Sequence, residues 1–599
     1  MSEPRRIALR PLARILDARQ KGENPDAIER ENLRLRHEQQ RDKLRQRAES
    51  RLFVMAVCFF AAFSAVAFKM SVLATSEPAE PSVATSGSSI ISTRADIVDR
   101  EGRVLATNLV TNALYVHPHE LIDPAAAAEG LAAIFDDLDA DMLLRRFSSG
   151  SRFMWIRGSI SPEQQQLVHD LGEPGLLFGP REMRLYPNGA VAAHVLGGAR
   201  FGEQAVNAAE ILGVAGVEAE FDAELRDPNR NGQPLELSLD LTVQAAVEEV
   251  LAGGMTLMNA QGASAVLMDA HTGEVISLAS LPDFDPNQRP RPLLEGDPSL
   301  SPLFNRAIQG VYELGSTYKL FTVAQALEEG LVNSETMIDT QGPLRMAGFN
   351  INDFHDYGPR LSVHDVLVRS SNIGTARLAQ MIGPERQQDF LGRLGLLEPI
   401  DFDMIEARQG RPIYPSNWGQ LSTMTISYGH GISATQLHLA AAYATMVNGG
   451  TRVTPTLERQ DGPQLGERII SEETSALLRE MLRAVVRDEE GTANLAEIPG
   501  YEVGGKTGSA DKPNPQGGYY EDRVIATFAS VFPANDPDYV LVVTLDEPSI
   551  SVLGETRRTA GWTAVPVAAE VIRRVAPLLG LAPQDIDPEV AYRLSSSSQ

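Results

Sequence analysis

The segment ELGSTYKLF, residues 313–321, is the most informative stretch of this 599-residue chain. Ser316 and Lys319 stand three positions apart where an apolar helix is predicted to start, so both side chains share one helix face. A serine hydroxyl is a weak nucleophile unless a base lies beside it, and a lysine amine becomes a base when burial or a second cation lowers its pKa. Because this spacing also arises by chance, a serine that only caps the helix is the alternative.

Two further motifs favour the chemical interpretation. Ser370-Ser371-Asn372 stands within a second helical stretch, and Lys506-Thr507-Gly508-Ser509 lies just upstream of two predicted strands. S-x-x-K, S-x-N and K-T-G in this order are the signature of serine enzymes that recognise penicillin. The context also fits, because the serine begins a helix and K-T-G is predicted on a strand.

The motifs together supply groups for acyl transfer. Ser316 would attack a carbonyl carbon and form an acyl-enzyme, while Lys319 would accept its proton. Lys506 is the second cation that would keep Lys319 partly neutral, and Ser370 could relay the proton to the leaving amine. This chemistry requires neither a metal nor an organic cofactor.

The remaining motif residues can bind a substrate. Asn372, the last member of the predicted catalytic set, can hold the substrate backbone, and Thr507 with the preceding lysine can hold a terminal carboxylate. The backbone N–H groups of Ser316 and Ser509 would form an oxyanion hole, worth roughly 3 kcal/mol per donor. Gly508 lets a ligand approach the strand closely.

The secondary-structure pattern predicts an α/β protein of the α+β type, in which an antiparallel sheet is flanked by a helical lobe. Hairpin-forming runs come first, helices follow, and strands return before a last helix at Pro566–Leu579. The predicted strands fall in residues 263–280 and 523–548, and the predicted helices in residues 316–330, 362–383 and 434–450.

The N-terminal region predicts a membrane anchor. Leu52–Phe68 contains no charge and follows a basic segment, which places the N-terminus in the cytoplasm. A cleaved signal peptide is disfavoured because the 51 preceding residues are too many for its basic region. The net charge of −26 argues against a nucleic-acid partner, and the single cysteine, Cys58, excludes an intrachain disulfide.

Beyond the three motifs, the chain resembles the class B penicillin-binding proteins. The resemblance spans about residues 94–567, although leucine stands at positions 314 and 320, where members of the family often have proline. It is carried by the block from Arg94 to Ala106, by Tyr186-Pro187 with His194 and Gly197, by Gly216-Val217-Glu218, and by Asn305-Arg306-Ala307.

The resemblance implies a single-pass inner-membrane D,D-transpeptidase that cross-links peptidoglycan stem peptides and is acylated by β-lactams. It also implies a glycan polymerase of the SEDS family and other division proteins as partners. The predicted domains are a cytoplasmic tail (1–51), a transmembrane helix (52–74), a linker (75–89), a non-catalytic pedestal (90–245), a transpeptidase domain (246–580) and a polar tail (581–599).

Residues 427–431, Ser-Tyr-Gly-His-Gly, with Thr435 and Leu437, resemble the division-specific branch of the family, which acts at the septum. An elongation-type transpeptidase and a D,D-carboxypeptidase with the same acyl-enzyme stay open as alternatives. A β-lactamase and a non-enzymatic division scaffold are disfavoured, the first by the additional N-terminal domain and the second by the intact motifs.

One further cluster, Asp353, His355 and Asp356, has residue types that bind metals. We favour a polar loop beside the cleft over a metal site, because a metal would need another ligand that the sequence does not supply.

Overall fold

In a computed structural model of the chain, the structure describes residues 16–24, 30, 34, 55–61, 63–64, 66–67, 94–201, 211–464, 466–514 and 516–584. Residues 1–90 and 91–599 form two units. In the first unit, residues 16–20 and the described residues between 55 and 67 are helical. Within the described part of the chain, no helix is both long and apolar enough to cross a membrane. The rest of the predicted transmembrane segment 52–74, the linker 75–89 and residues 585–599 of the polar tail lie outside the described residues.

The second unit begins with a five-stranded sheet and short helices. The strand order is β3-β2-β1-β7, and β4 also pairs with β2. The strands are β1 (Ile97–Val98), β2 (Val104–Val116), β3 (Met154–Ile160), β4 (Leu176–Leu185), β5 (Gly198–Phe201), β6 (Ile211–Ala215) and β7 (Leu235–Glu236). The helices are α1 (Pro124–Ile134), α2 (Ala140–Phe147), α3 (Pro162–Asp170), α4 (Ala193–Leu196), α5 (Gly216–Glu220) and α6 (Asp222–Leu225).

A buried ion network joins three distant segments of this region. The Glu218 carboxylate is fully buried and accepts hydrogen bonds from Arg94 Nε at 2.8 Å and Arg184 Nε at 2.6 Å. Tyr186 donates its hydroxyl to the same carboxylate at 3.2 Å. Because an unpaired buried charge is costly, this network holds the beginning, middle and end of the region together.

The rest of the second unit is built on a five-stranded antiparallel sheet of order β14-β15-β16-β8-β9. The strands are β8 (Gly262–Asp269), β9 (Val275–Leu281), β10 (Met337–Asp339), β11 (Leu344–Met346), β12 (Phe349–Ile351), β13 (Arg360–Ser362), β14 (Gly504–Pro513), β15 (Tyr519–Phe532), β16 (Tyr539–Asp546), β17 (Ile550–Val552) and β18 (Glu555–Arg557). The helices are α7 (Leu241–Leu257), α8 (Lys319–Glu328), α9 (Val363–Val368), α10 (Asn372–Ile382), α11 (Pro384–Arg393), α12 (Gln420–Ile426), α13 (Gln436–Val447), α14 (Glu472–Arg487) and α15 (Ala564–Val575).

Both faces of this sheet are covered by helices. Because side chains alternate along a strand, Ala265 and Leu267 of β8 pack into the core formed with α7 and α15. Val266 and Met268 belong to the opposite core, which contains α8 and α13. The sheet therefore separates two helical layers, and the layer with α8 contains the S-x-x-K motif.

The N-terminal region of this unit is joined to the sheet region by hydrogen bonds between side chains and the backbone. Arg289 donates Nε to the Gly197 carbonyl at 3.2 Å, and the Gly216 N–H donates to Glu406 at 2.9 Å. These contacts and a continuous apolar core tie the two regions of the unit together.

The structure confirms the α+β class, the predicted hairpin of residues 263–280 and the two predicted strands of residues 523–548. The predicted C-terminal helix exists, but it starts at Ala564 and ends at Val575. The predicted helical stretch 362–383 divides into α9 and α10, because Ser370 between them has a φ of +65° and cannot continue a right-handed helix. Helix α14 was not predicted.

Candidate active site

The S-x-x-K motif lies on a short 3₁₀ turn that leads directly into α8. The turn spans Gly315–Tyr318, and Lys319 is the first residue of the helix. Ser316 is half-buried, whereas Lys319 is fully buried. The Tyr443 hydroxyl donates to the Thr317 carbonyl at 2.8 Å and so fixes the turn.

The Lys319 amine reaches the S-x-N motif. Its Nζ donates to Ser370 Oγ at 3.0 Å and also to the Ser370 carbonyl. Burial lowers the pKa of Lys319 well below its ordinary value, and the charge of Lys506 lowers this pKa further, whereas Asp353 raises it. This environment favours the neutral amine, which is the form of a lysine that can act as a base.

The S-x-N loop is fixed by Asp353. Ser371 is the N-cap of α10, where its Oγ accepts from the Gly374 N–H at 2.9 Å and donates to Asp353 at 2.7 Å. The second Asp353 oxygen accepts from the Ile373 N–H at 3.0 Å. The amide of Asn372 donates to the Asn352 carbonyl at 2.9 Å, so the motif and the Asp353 loop are linked twice.

The loop with Asp353, His355 and Asp356 was predicted as a polar loop beside the cleft, and the structure places it against the S-x-N motif. Within the described residues, no group of three or more His, Cys, Asp and Glu side chains could hold a metal ion. Sequence reasoning did not identify the role of Asp353 at the start of α10, although an acidic side chain near a helix N-terminus stabilises the helix.

The K-T-G motif lies on β14, which forms one edge of the central sheet. Lys506 is fully buried, and burial lowers its pKa to about 7. Its Nζ donates to the Thr507 carbonyl at 3.3 Å, and the Thr507 and Thr492 hydroxyls lie 2.7 Å apart. Ser509 is exposed, and its hydroxyl accepts from the Ala560 N–H at 2.9 Å.

Residues 313–319, which carry Ser316 and are called the nucleophile segment below, pack against β14 and against the turn Gly429–Gly431. A Cβ atom on Gly315 would lie 2.9 Å from the Ser509 carbonyl oxygen, and one on Gly508 would lie 2.1 Å from the Leu314 oxygen. On the other side, a Cβ on Gly429 would lie 2.0 Å from the Gly315 oxygen. The backbones carrying the N–H groups of Ser316 and Ser509 are therefore neighbours.

The structure thus brings the three predicted motifs to one place. Lys319 contacts Ser370 directly, Lys506 acts on Lys319 through its charge, and the Ser316 turn abuts Ser509. Sequence reasoning missed Thr492 and Tyr443, for which the sequence gives no local signal because their partners are 15 and 126 residues away.

Comparisons with known proteins agree with this arrangement. Residues 263–573 match the penicillin-binding protein transpeptidase domain, and residues 89–232 match the penicillin-binding protein dimerisation domain. A probable peptidoglycan D,D-transpeptidase FtsI from Caulobacter vibrioides is 35% identical over 498 residues, which cover 82% of each chain. The peptidoglycan D,D-transpeptidase FtsI of Escherichia coli K12 is 29% identical over 524 residues, covering 82% of this chain and 85% of the relative.

Among solved structures, penicillin-binding protein 3 from Mycobacterium tuberculosis, complexed with aztreonam, superposes with a TM-score of 0.61 at 25% identity. The match covers 82% of this chain and 97% of the solved chain. The chain therefore belongs to the class B penicillin-binding proteins of the FtsI type.

Proposed function

We propose that this protein is a peptidoglycan D,D-transpeptidase that cross-links stem peptides of the nascent septal wall through an acyl-enzyme on Ser316. The observation that carries the proposal is the buried Lys319 amine, which contacts Ser370 Oγ at 3.0 Å and has a strongly lowered pKa. It supplies the base that a serine nucleophile needs. The names of the FtsI relatives support this reaction and its place in division.

In the first half-reaction, Ser316 Oγ attacks the carbonyl of the penultimate D-Ala of a donor stem peptide, and Lys319 accepts the hydroxyl proton. The oxyanion receives hydrogen bonds from the Ser316 and Ser509 N–H groups. The peptide bond then breaks, and the terminal D-Ala leaves as an amine that receives its proton through Ser370. The products are a Ser316 ester and free D-Ala.

In the second half-reaction, the amine of an acceptor stem peptide attacks the ester carbonyl. The amine loses a proton to the Lys319–Ser370 pair, the ester bond breaks, and Ser316 regains its proton. A new amide joins the two stem peptides. An extended donor can pair with the free edge of β14, with Asn372 binding its backbone and Lys506 and Thr507 its terminal carboxylate.

We also propose the cellular setting. The charge-free run Leu52–Phe68 and the basic residues before it support one inner-membrane helix at 52–74, a cytoplasmic N-terminus and a periplasmic catalytic domain. The protein would act at the septum with a SEDS-family glycan polymerase and other division proteins. Residues 90–245 would form the pedestal, and residues 246–580 the transpeptidase domain.

The test is mass spectrometry of the full-length chain in detergent after incubation with benzylpenicillin. We expect a stable penicilloyl adduct on the Ser316 peptide, and no adduct in Ser316→Ala. The matched control is Ser551→Ala, an exposed serine on β17, which should be acylated like the wild type. An adduct that clears within seconds would favour a hydrolase, and no adduct on the folded wild-type chain would contradict the proposal.

A further inference from the structure

The carboxylate of Glu313 connects three segments around the nucleophile. Glu313 is only 7% exposed. Its Oε1 accepts the Gly431 N–H at 2.9 Å and the Tyr519 hydroxyl at 3.0 Å. His430 Nδ1 lies 3.3 Å from Oε2, and the rings of His430 and Tyr519 are in contact, with centroids 4.7 Å apart. One side chain thus ties the nucleophile segment to the turn after α12 and to the start of β15.

The same three segments enclose the backbone that precedes Ser316. Gly315 has a φ of +57° and leaves no space for a Cβ between itself and Ser509. Gly429 has a φ of +79°, and its Cα packs against the Gly315 carbonyl. A Cβ on Gly429 would lie 2.0 Å from the Gly315 oxygen. Hence a shift of either the turn or the hairpin relative to Glu313 moves Gly315 and Ser316 as well.

We propose that Glu313 is a positioning residue of the transpeptidase, whose buried carboxylate holds the Gly429–Gly431 turn and the β14–β15 hairpin against the nucleophile segment and thereby sets the Ser316 N–H for the oxyanion. Glu313 does not need to touch the substrate for this. Tyr519 is suited to its part, because burial and the neighbouring Glu313 raise the pKa of its hydroxyl and keep it a donor. The inference rests on the proposed acyl-enzyme chemistry.

The position of an oxyanion donor affects the chemical step more than substrate binding. Complete loss of one donor lowers the rate by about 10²–10³-fold. We therefore expect Glu313→Ala to lower the first-order acylation rate constant by about 100-fold, with the dissociation constant of the initial complex changed by less than about threefold. Glu313→Gln keeps an oxygen acceptor and should recover part of the rate, and Tyr519→Phe should lose about three- to tenfold.

The experiment is stopped-flow acylation of the full-length chain in detergent with a fluorescent penicillin, which separates the rate constant from the dissociation constant. Matched controls are Tyr520→Phe and Glu521→Gln on the same hairpin. The Arg523 guanidinium carbon lies 4.4 Å from the centroid of the Tyr520 ring, and Tyr520 makes no hydrogen bond to Glu313. Glu521 is exposed. Both should acylate at the wild-type rate, and the thermal midpoint is measured for every variant.

A fall in the rate constant without a matching change in the dissociation constant, partly restored in Glu313→Gln, would establish the inference. A Glu313→Ala rate within threefold of the wild type would overturn it, as would an equal loss in Tyr520→Phe. If Glu313→Ala does not fold, Glu313→Gln and Tyr519→Phe decide, and wild-type rates in both would refute the inference. Absence of acylation in the wild-type chain would instead refute the proposed function.

Discussion

Replacing Lys506 with methionine should stabilise the protein while it disables the site. Lys506 has no exposed surface, and burial lowers its pKa from 10.5 to about 7. Methionine has a similar length and volume but no charge, so Lys506→Met removes the desolvated amine with little change in packing. The variant also removes the cation that lowers the pKa of Lys319.

The magnitude follows from proton linkage. A pKa that falls from 10.5 to about 7 on folding destabilises the folded state by about 5 kcal/mol below pH 7, at about 1.36 kcal/mol per pH unit. Because the folded pKa is below the unfolded value, this cost is fully present below pH 7 and disappears as the pH rises to 10.5. Lys506→Met should therefore gain about 4 kcal/mol at pH 7 and less than 1 kcal/mol near pH 10.5.

The assay is thermal unfolding of both full-length proteins in detergent between pH 6.5 and 10. The control is Lys512→Met on the same strand. Lys512 pairs with Asp546 and Glu547 at 2.8 Å, and these partners raise its pKa against the effect of burial, so the substitution should lower the midpoint. A Lys506→Met midpoint equal to or below the wild type at pH 7, or a gain that does not shrink toward pH 10, would refute the reasoning.

Three other substitutions follow from the packing. Asp353→Asn removes the charged acceptor at the start of α10 and should cost about 1–3 kcal/mol, measured as a lower thermal midpoint, together with slower acylation. Gly429→Ala should slow penicillin acylation about 100-fold through its clash with Gly315. Gly431→Ala should not, because it has a similar positive φ but its Cβ would meet only Thr425 Oγ1, at an ordinary contact distance of 3.6 Å. Glu218→Gln leaves two buried arginines without a full countercharge and should lower the free energy of unfolding by about 3–5 kcal/mol in urea titrations.

The strands of the central sheet could be predicted from the sequence because their signals are local. β8 and β9 are two runs rich in apolar residues that are joined at His271-Thr272-Gly273, and Gly273 has the positive φ that such a turn requires. The S-x-x-K, S-x-N and K-T-G motifs likewise carry their chemistry in the identity of a few residues. Both kinds of signal can be read without knowing which segments meet.

What could not be predicted depends on contacts between distant segments. The break at Ser370 has no glycine or proline to announce it, and its left-handed backbone is held by the Lys319 amine 51 positions away. The roles of Glu313 and Asp353 are equally non-local, because their partners include Tyr519 and Ser371 on other elements. Short polar loops offer no period from which such pairings could be inferred.

The apolar residues of the ELGSTYKLF segment take part in setting the chemistry of the site. Leu314, Tyr318, Leu320 and Phe321 are each at most 1% exposed, and they surround the start of α8. Burial is the largest cause of the lowered pKa of Lys319, ahead of the charge of Lys506. Since a solvated lysine has a pKa near 10.4, an amine in contact with water at this position would stay protonated at neutral pH and could not accept the serine proton. The packing that stabilises α8 therefore also lowers the pKa of the Lys319 amine and so favours its basic, neutral form.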